Sequence, residues 1–154
     1  KAKALSEDAM LLLKNGTTIE HAAVLYIYAT EEFGKALLLD DEYRANPHKA
    51  TYDIDEELFG RVNPGKAHYR KLRRAHRELP DECLKLSEGS FSAESFSRED
   101  FDVDILADLE TRSEALYVDW SPGRRIWKSV PPIDKNRLEK AIILFQDKLS
   151  KFSP

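Results

Sequence analysis

Two pairs of ionisable residues occur where helices should place apolar side chains. Glu32 lies in a segment whose apolar residues recur at helical spacing, and Lys35 follows one turn later. His68 and Lys71 have the same spacing in a second helical segment. A buried charge costs several kcal/mol unless it is paired. We therefore expect these four side chains to converge between two helices, where they would tune a proton-transfer group or bind an anion.

The same residues also have a purely structural interpretation. Glu31 and Lys35 are four positions apart, which favours an ion pair along one helix, with Glu32 as a hydrogen-bonded core carboxylate. A single histidine on an apolar face, such as His68, is most often structural. Gly34 has no side chain, so another helix or a ligand can approach the backbone closely there. The residues alone leave both interpretations open.

The second helical segment is strongly basic. Residues 66–77 contain no acidic side chain, and their solvent face would suit phosphate contacts. An alternative is that this helix docks on residues 81–110, which contain ten acidic side chains, or on the same segment of a second copy. The candidate nucleic-acid contacts are Arg70, Arg73, Arg74 and Arg77.

Composition favours one globular domain spanning residues 1–154. The chain is 42% hydrophobic and 34% charged, with a net charge of -4 that gives no overall attraction for nucleic acid or anionic membrane. It contains no apolar run of membrane-spanning length, and its single cysteine, Cys83, suits a reducing compartment. We expect a cytoplasmic protein without membrane contact. Metal-site, P-loop and dinucleotide-binding patterns are missing from the sequence, so we expect no metal and no cofactor.

Periodicity and capping signals predict five helices and one hairpin. Gly16 ends the first helix, Pro80 follows the third, and Asp134 caps the last. The two-residue alternation of side chains on both sides of Ser121, Pro122 and Gly123 predicts a small β-hairpin over 116–130. The predicted helices span 2–15, 19–43, 66–79, 97–114 and a last segment from 134 onwards.

Three motifs, taken in order, resemble one known family. These are EEFGK at 31–35, HYRK at 68–71, and ALYVDW at 115–120 followed by Trp127. Together they resemble the AbiV family of bacterial abortive-infection proteins, a branch of the HEPN helical superfamily. The resemblance implies an all-α, HEPN-like bundle, phage defence by a toxin-like shutdown, and a tendency to dimerise. We call Glu32, Lys35, His68 and Lys71 the polar cluster. The family's motif positions outside this cluster are Glu31, Gly34, Tyr117, Asp119 and Trp127.

Many HEPN proteins are metal-independent ribonucleases with an Arg, a polar residue and a His after four to six intervening positions. Arg70 and His76 have this separation, but Lys71 follows the arginine and the two side chains point about 120° apart on a regular helix. Arg61 and His68 have it too, yet Val62 follows the arginine and a Pro-Gly pair intervenes. Neither pair matches cleanly, so we place the active groups in the polar cluster first.

Two mechanisms compete. In the first, the protein acts on RNA or a nucleotide, with His68 as acid and base, Lys35 and Lys71 stabilising negative charge, and Glu32 orienting them. In the second, it is a non-catalytic dimer that captures a phage or host protein, and the cluster only fixes helix register. We also expect the hairpin to pack Tyr117, Trp120 or Trp127 against the bundle. His76 should lie on a solvated side of its helix.

Overall fold

The computed structural model describes residues 1–16, 18–48, 64–83, 120–121, 126–127 and 133–152. This part of the chain contains four α-helices, which confirms the all-helical class, together with a short 3-10 turn at Asp81–Cys83 and two short strands. None of the described helices is long and apolar enough to cross a membrane. The helices are α1 (Ala2–Lys14), α2 (Ile19–Ala45), α3 (Pro64–His76) and α4 (Lys135–Lys151), and the strands are β1 (Trp120–Ser121) and β2 (Ile126–Trp127).

Two helix termini, the end of α1 and the start of α4, form where the local signals predicted them. Gly16 adopts a φ of 69°, a left-handed conformation that glycine accepts readily, and the chain reverses there from α1 into α2. At the start of α4, Asp134 Oδ1 accepts the backbone N–H groups of Asn136 and Arg137 at 2.8 and 3.1 Å. Both predicted caps are confirmed.

The core forms around α2, which packs against the other three helices. Tyr26 and Phe33 of α2 both meet Phe145 of α4 edge to face, with ring centroids 5.6 and 5.8 Å apart. Leu13 of α1 and Leu72 of α3 are also buried. Because α2 supplies surface to three neighbours, apolar residues are needed on most of its circumference.

The rotation of α2 differs from the prediction. The helical spacing of the apolar residues predicts an inner face that includes Glu32 and is marked by Ala22, Leu25, Ala29, Phe33 and Ala36. Ala36 is in fact exposed and Leu25 is half-buried. The first half of α2 is apolar nearly all round, so its periodicity cannot fix which side faces inward. The buried side chains in its middle and second half include Tyr26, Ile27, Thr30, Glu31, Phe33 and Leu37.

Helix α3 ends three residues earlier than predicted, at His76. The backbone N–H groups of Glu78 and Leu79 both bond to the carbonyl of Ala75, so the chain turns there rather than continuing as helix. The turn at Asp81–Cys83 then returns to α2, where the Tyr26 hydroxyl donates to the Cys83 carbonyl at 2.9 Å. The expectation that His76 is solvated is wrong, because only 3% of its surface is exposed.

The remaining predictions fall largely outside the described residues. The helix predicted over 97–114 lies there, as do Tyr117 and Asp119. Within 116–130, Trp120 pairs with Trp127 and Ser121 with Ile126 in an antiparallel register. The complete hairpin, its packing on the bundle and the fifth helix therefore stay predictions.

Candidate functional site

Helices α2 and α3 touch backbone to backbone at Gly34. A side chain at this position would overlap the main-chain carbonyl of Lys71. Glycine is therefore required for this approach, as its place between the motif residues predicted. The crossing point brings the EEFGK and HYRK segments into direct contact.

Next to this crossing, a buried carboxylate holds a histidine. Glu31 Oε2 lies 2.6 Å from His68 Nδ1, a short hydrogen bond. Glu31 is only 4% exposed, whereas 31% of the His68 side chain reaches solvent. A carboxylate accepts, so Nδ1 carries the hydrogen, and in the neutral ring Nε2 carries the lone pair. This arrangement of an orienting acid and an accessible imidazole suits proton transfer.

Glu32 does not lie in this contact. Its carboxylate is 3.1 Å from Lys1 Nζ at the start of α1, and 27% of its side chain is exposed. The prediction that Glu32 is the buried carboxylate is therefore wrong, and Glu31 occupies that place. The cause is the rotation of α2, since neighbouring helical residues point about 100° apart.

The two lysines of the predicted cluster belong to the two helices that carry Glu31 and His68. Lys71 is at the crossing point itself, and Lys35 is one turn after Glu31 on α2. Both side chains are half-buried. The α2–α3 crossing thus brings Glu31 and His68 into contact and places the backbone of Lys71 against Gly34, while the convergence of the two lysine side chains and the catalytic roles stay predictions.

The four candidate arginine contacts have different surroundings, and Arg77 lies just after the end of α3. Arg74 is engaged within the fold, because its Nε and one terminal nitrogen contact both oxygens of Asp41 at 2.5 and 3.0 Å. Its other terminal nitrogen contacts Glu78 at 3.0 Å. The hydrogen bonds from Arg74 hold the pKa of Asp41 below its usual value, and the two carboxylates raise the pKa of Arg74.

Arg70 and Arg77 are exposed, and Arg73 is half-buried. On a regular helix, Arg70 lies about 160° from His68 around the axis of α3. A phosphate bound by Arg70 would therefore lie on the opposite side of α3 from His68. Arg77 follows the end of α3, so this argument does not extend to it.

The Arg/His spacing typical of HEPN ribonucleases is not assembled by Arg70 and His76. Arg70 is exposed whereas His76 is buried, so the two side chains do not share one open surface. In the other pair, Arg61 lies outside the described residues. His68 is thus the histidine of α3 that combines partial exposure with a carboxylate partner.

Comparison with known proteins agrees with this motif pattern. The family model HEPN_AbiV, described as AbiV, matches residues 1–149. The chain belongs to the AbiV family of HEPN proteins. Membership in this family indicates a part in abortive infection, the defence of bacteria against phage. Neither the curated proteins nor the solved structures gave a significant match.

Three features of this AbiV protein were missed from the sequence: the burial of Glu31, the pairing of Arg74 with Asp41, and the burial of His76. One signal was available for the first. Glu31 and Gly34 are three positions apart, as are His68 and Lys71. Because α2 and α3 run in the same direction at the contact of Gly34 with Lys71, the residues one turn earlier on each helix also meet, and that pair is Glu31 with His68.

Proposed function

We propose that this AbiV-family protein acts in abortive infection as a toxin-like, metal-independent ribonuclease whose active group is His68. The observation that carries this proposal is the 2.6 Å bond between buried Glu31 and half-exposed His68. A buried carboxylate fixes the orientation of the imidazole, and solvent exposure leaves the ring within reach of a substrate. Family membership supports the biological role.

The chemistry that fits these residues is transesterification within the RNA strand, in which a ribose 2′-oxygen replaces the 5′-oxygen on the adjacent phosphorus. His68 Nε2 takes the proton of a ribose 2′-hydroxyl, and the 2′-oxygen attacks the adjacent phosphorus. The bond to the 5′-oxygen breaks, that oxygen takes a proton from water, and the imidazolium returns its proton to the hydroxide that remains. Glu31 stabilises the imidazolium that forms, and the ammonium groups of Lys35 and Lys71 favour the added negative charge on phosphate. No redox step or metal ion is needed.

A non-catalytic dimer that captures a phage or host protein is the second candidate. Large apolar side chains are exposed on three helices or just beyond one, at Leu11, Tyr43, Ile143 and Phe152. Such side chains favour association with a second copy or with another protein. In that case the Glu31–His68 bond would fix how α3 packs on α2 and would take no part in chemistry.

Substitution of His68 distinguishes the two candidates. We expect His68→Ala to abolish protection in a phage plaque assay while circular dichroism shows a folded protein. His48→Ala is the matched control, because His48 is exposed and lies after α2, away from the crossing. Folded His68→Ala protein that still blocks phage growth would refute catalysis by His68.

A second experiment addresses the reaction itself. Purified protein should cleave labelled RNA in the presence of EDTA and leave 2′,3′-cyclic phosphate ends, and both His68→Ala and Glu31→Gln should slow cleavage by about 100-fold or more. Light scattering on the same samples gives the oligomeric state. Protection that depends on dimer formation, without RNA cleavage by the wild type, would favour the binding protein.

A further inference from the structure

The contacts between α2 and α3 follow one another in the same order along both helices. Glu31 meets His68, Gly34 meets Lys71, and Asp41 meets Arg74. His68 and Arg74 are each three residues from Lys71, so they lie about 4.5 Å to either side of the crossing point along the axis of α3. Along α3, the contact at Gly34 therefore lies midway between His68 and Arg74, as a pivot with two arms of equal length would require.

A pivot of this kind couples the two ends of α3. If α3 swings about the Gly34–Lys71 contact, His68 and Arg74 move by similar amounts in opposite directions. A swing of about 13° displaces His68 by about 1 Å, which is enough to stretch a short hydrogen bond beyond useful length. The distance between Glu31 and His68 is thus set by the angle at which α3 crosses α2.

The arm opposite His68 carries a contact able to fix that angle. Arg74 donates two parallel hydrogen bonds to Asp41. This geometry restricts the orientation of the two side chains as well as the distance between them. Arg74 also contacts Glu78, which lies 3.7 Å from Lys148 of α4. Arg74 therefore connects α3 to α2 directly, through Asp41, and to α4 through Glu78.

We propose that Asp41 and Arg74 are positioning residues, whose paired hydrogen bonds fix the angle of α3 on α2 and hold His68 within hydrogen-bond distance of Glu31. Neither residue touches the reacting atoms. The part of this inference that concerns activity rests on the proposed function of His68. The part that concerns geometry does not.

The test compares two neighbouring aspartates in the full chain. Asp41→Asn removes the carboxylate charge that is hydrogen-bonded to Arg74. Asp40→Asn removes a carboxylate charge that pairs with Arg44 on the same helix, with 2.8 Å between an Asp40 oxygen and an Arg44 nitrogen. The readout is the tautomer of the His68 ring, measured by NMR on protein with ¹⁵N-labelled histidine. His68→Gln assigns the signal, and urea-unfolded wild type gives the unconstrained tautomer ratio.

We expect Asp41→Asn to move the His68 ring more than half of the way from the Nδ1–H form towards the unfolded ratio, and Asp40→Asn to leave it unchanged. Arg74→Lys should act as Asp41→Asn does, because an ammonium group cannot form the two parallel bonds. An unchanged His68 signal in folded Asp41→Asn protein would overturn the proposal. An equal change in both aspartate variants would overturn it too.

Phage protection separates this inference from the proposed function. A misplacement of about 1 Å should lower protection by about 10-fold or more in Asp41→Asn and leave Asp40→Asn at the wild-type level. If His68→Ala still protects while the ring signal responds as expected, the ribonuclease proposal fails and the positioning of His68 by Asp41 and Arg74 stands.

Discussion

Adding one methyl group at Gly34 should destabilise the protein although alanine is the better helix former. A Cβ there would lie 2.6 Å from the carbonyl carbon of Lys71, whereas ordinary contacts begin at 3.4 Å. The obstacle is main chain, which has no alternative rotamer. Helix α3 must therefore move away from α2 by about 1 Å, because the repulsion rises steeply at shorter distances.

The expected magnitude follows from three terms. Overpacking of this kind costs about 1–3 kcal/mol. A shift of about 1 Å also breaks the bond between Glu31 and His68, and a hydrogen bond to a carboxylate contributes about 1.5 kcal/mol or more. The higher helix propensity of alanine offsets about 1 kcal/mol of this loss of stability. The net loss is about 2 kcal/mol, which lowers the melting temperature of a chain of this size by about 4–8 °C.

Thermal and urea unfolding followed by circular dichroism measure this loss. Gly16→Ala is the matched control, because nothing lies within 4 Å of a Cβ at Gly16 and its cost comes from the positive φ alone. That control should lose about 1 kcal/mol and leave the His68 ring signal unchanged. Gly34→Ala protein as stable as the wild type, or more stable, would refute the close approach of α3 to α2.

Three further predictions concern acid stability, the buried thiol and one core hydrogen bond. Arg74 holds the pKa of Asp41 below 3.8, so the pair stabilises the fold above about pH 4 and loses this effect as the pH falls further. Melting temperatures should therefore fall less steeply below about pH 4 in Asp41→Asn than in the wild type. Burial raises the pKa of Cys83 to about 11, so at about pH 8 iodoacetamide should modify it only after urea is added, as mass spectrometry would show. Tyr26→Phe removes the hydroxyl that donates to the Cys83 carbonyl and should cost about 1 kcal/mol in urea unfolding, whereas a wild-type midpoint would mean that this bond contributes nothing.

The four described helices were predictable because their signals are local. Gly16 and Asp134 each act within one turn of the helix that they end or begin, so the sequence places both boundaries to within a residue or two. The close approach at Gly34 was predictable for the same kind of reason, since the missing side chain is a property of a single residue. These features need no knowledge of how the helices are arranged in space.

The contacts between helices were harder to predict. Glu31 and His68 are 37 residues apart, and Asp41 and Arg74 are 33 apart, so no short pattern links them. His76 shows how a local signal can mislead, because its arginine neighbours indicated that its side chain would be exposed to solvent. It lies four residues after buried Leu72, however, and therefore on the same side of α3.

Neighbouring carboxylates on α2 serve different helices, Glu31 facing α3 and Glu32 facing α1. Turning α2 by one residue, about 100°, would exchange them, and a helix that is apolar on most sides resists such a turn only weakly. Gly34 removes this ambiguity. With Phe33 or Lys35 opposite the Lys71 carbonyl, a side chain would hold the two backbones apart, so only one rotation permits the observed contact. A missing side chain thus gives α2 a single orientation among several that its apolar surface would accept.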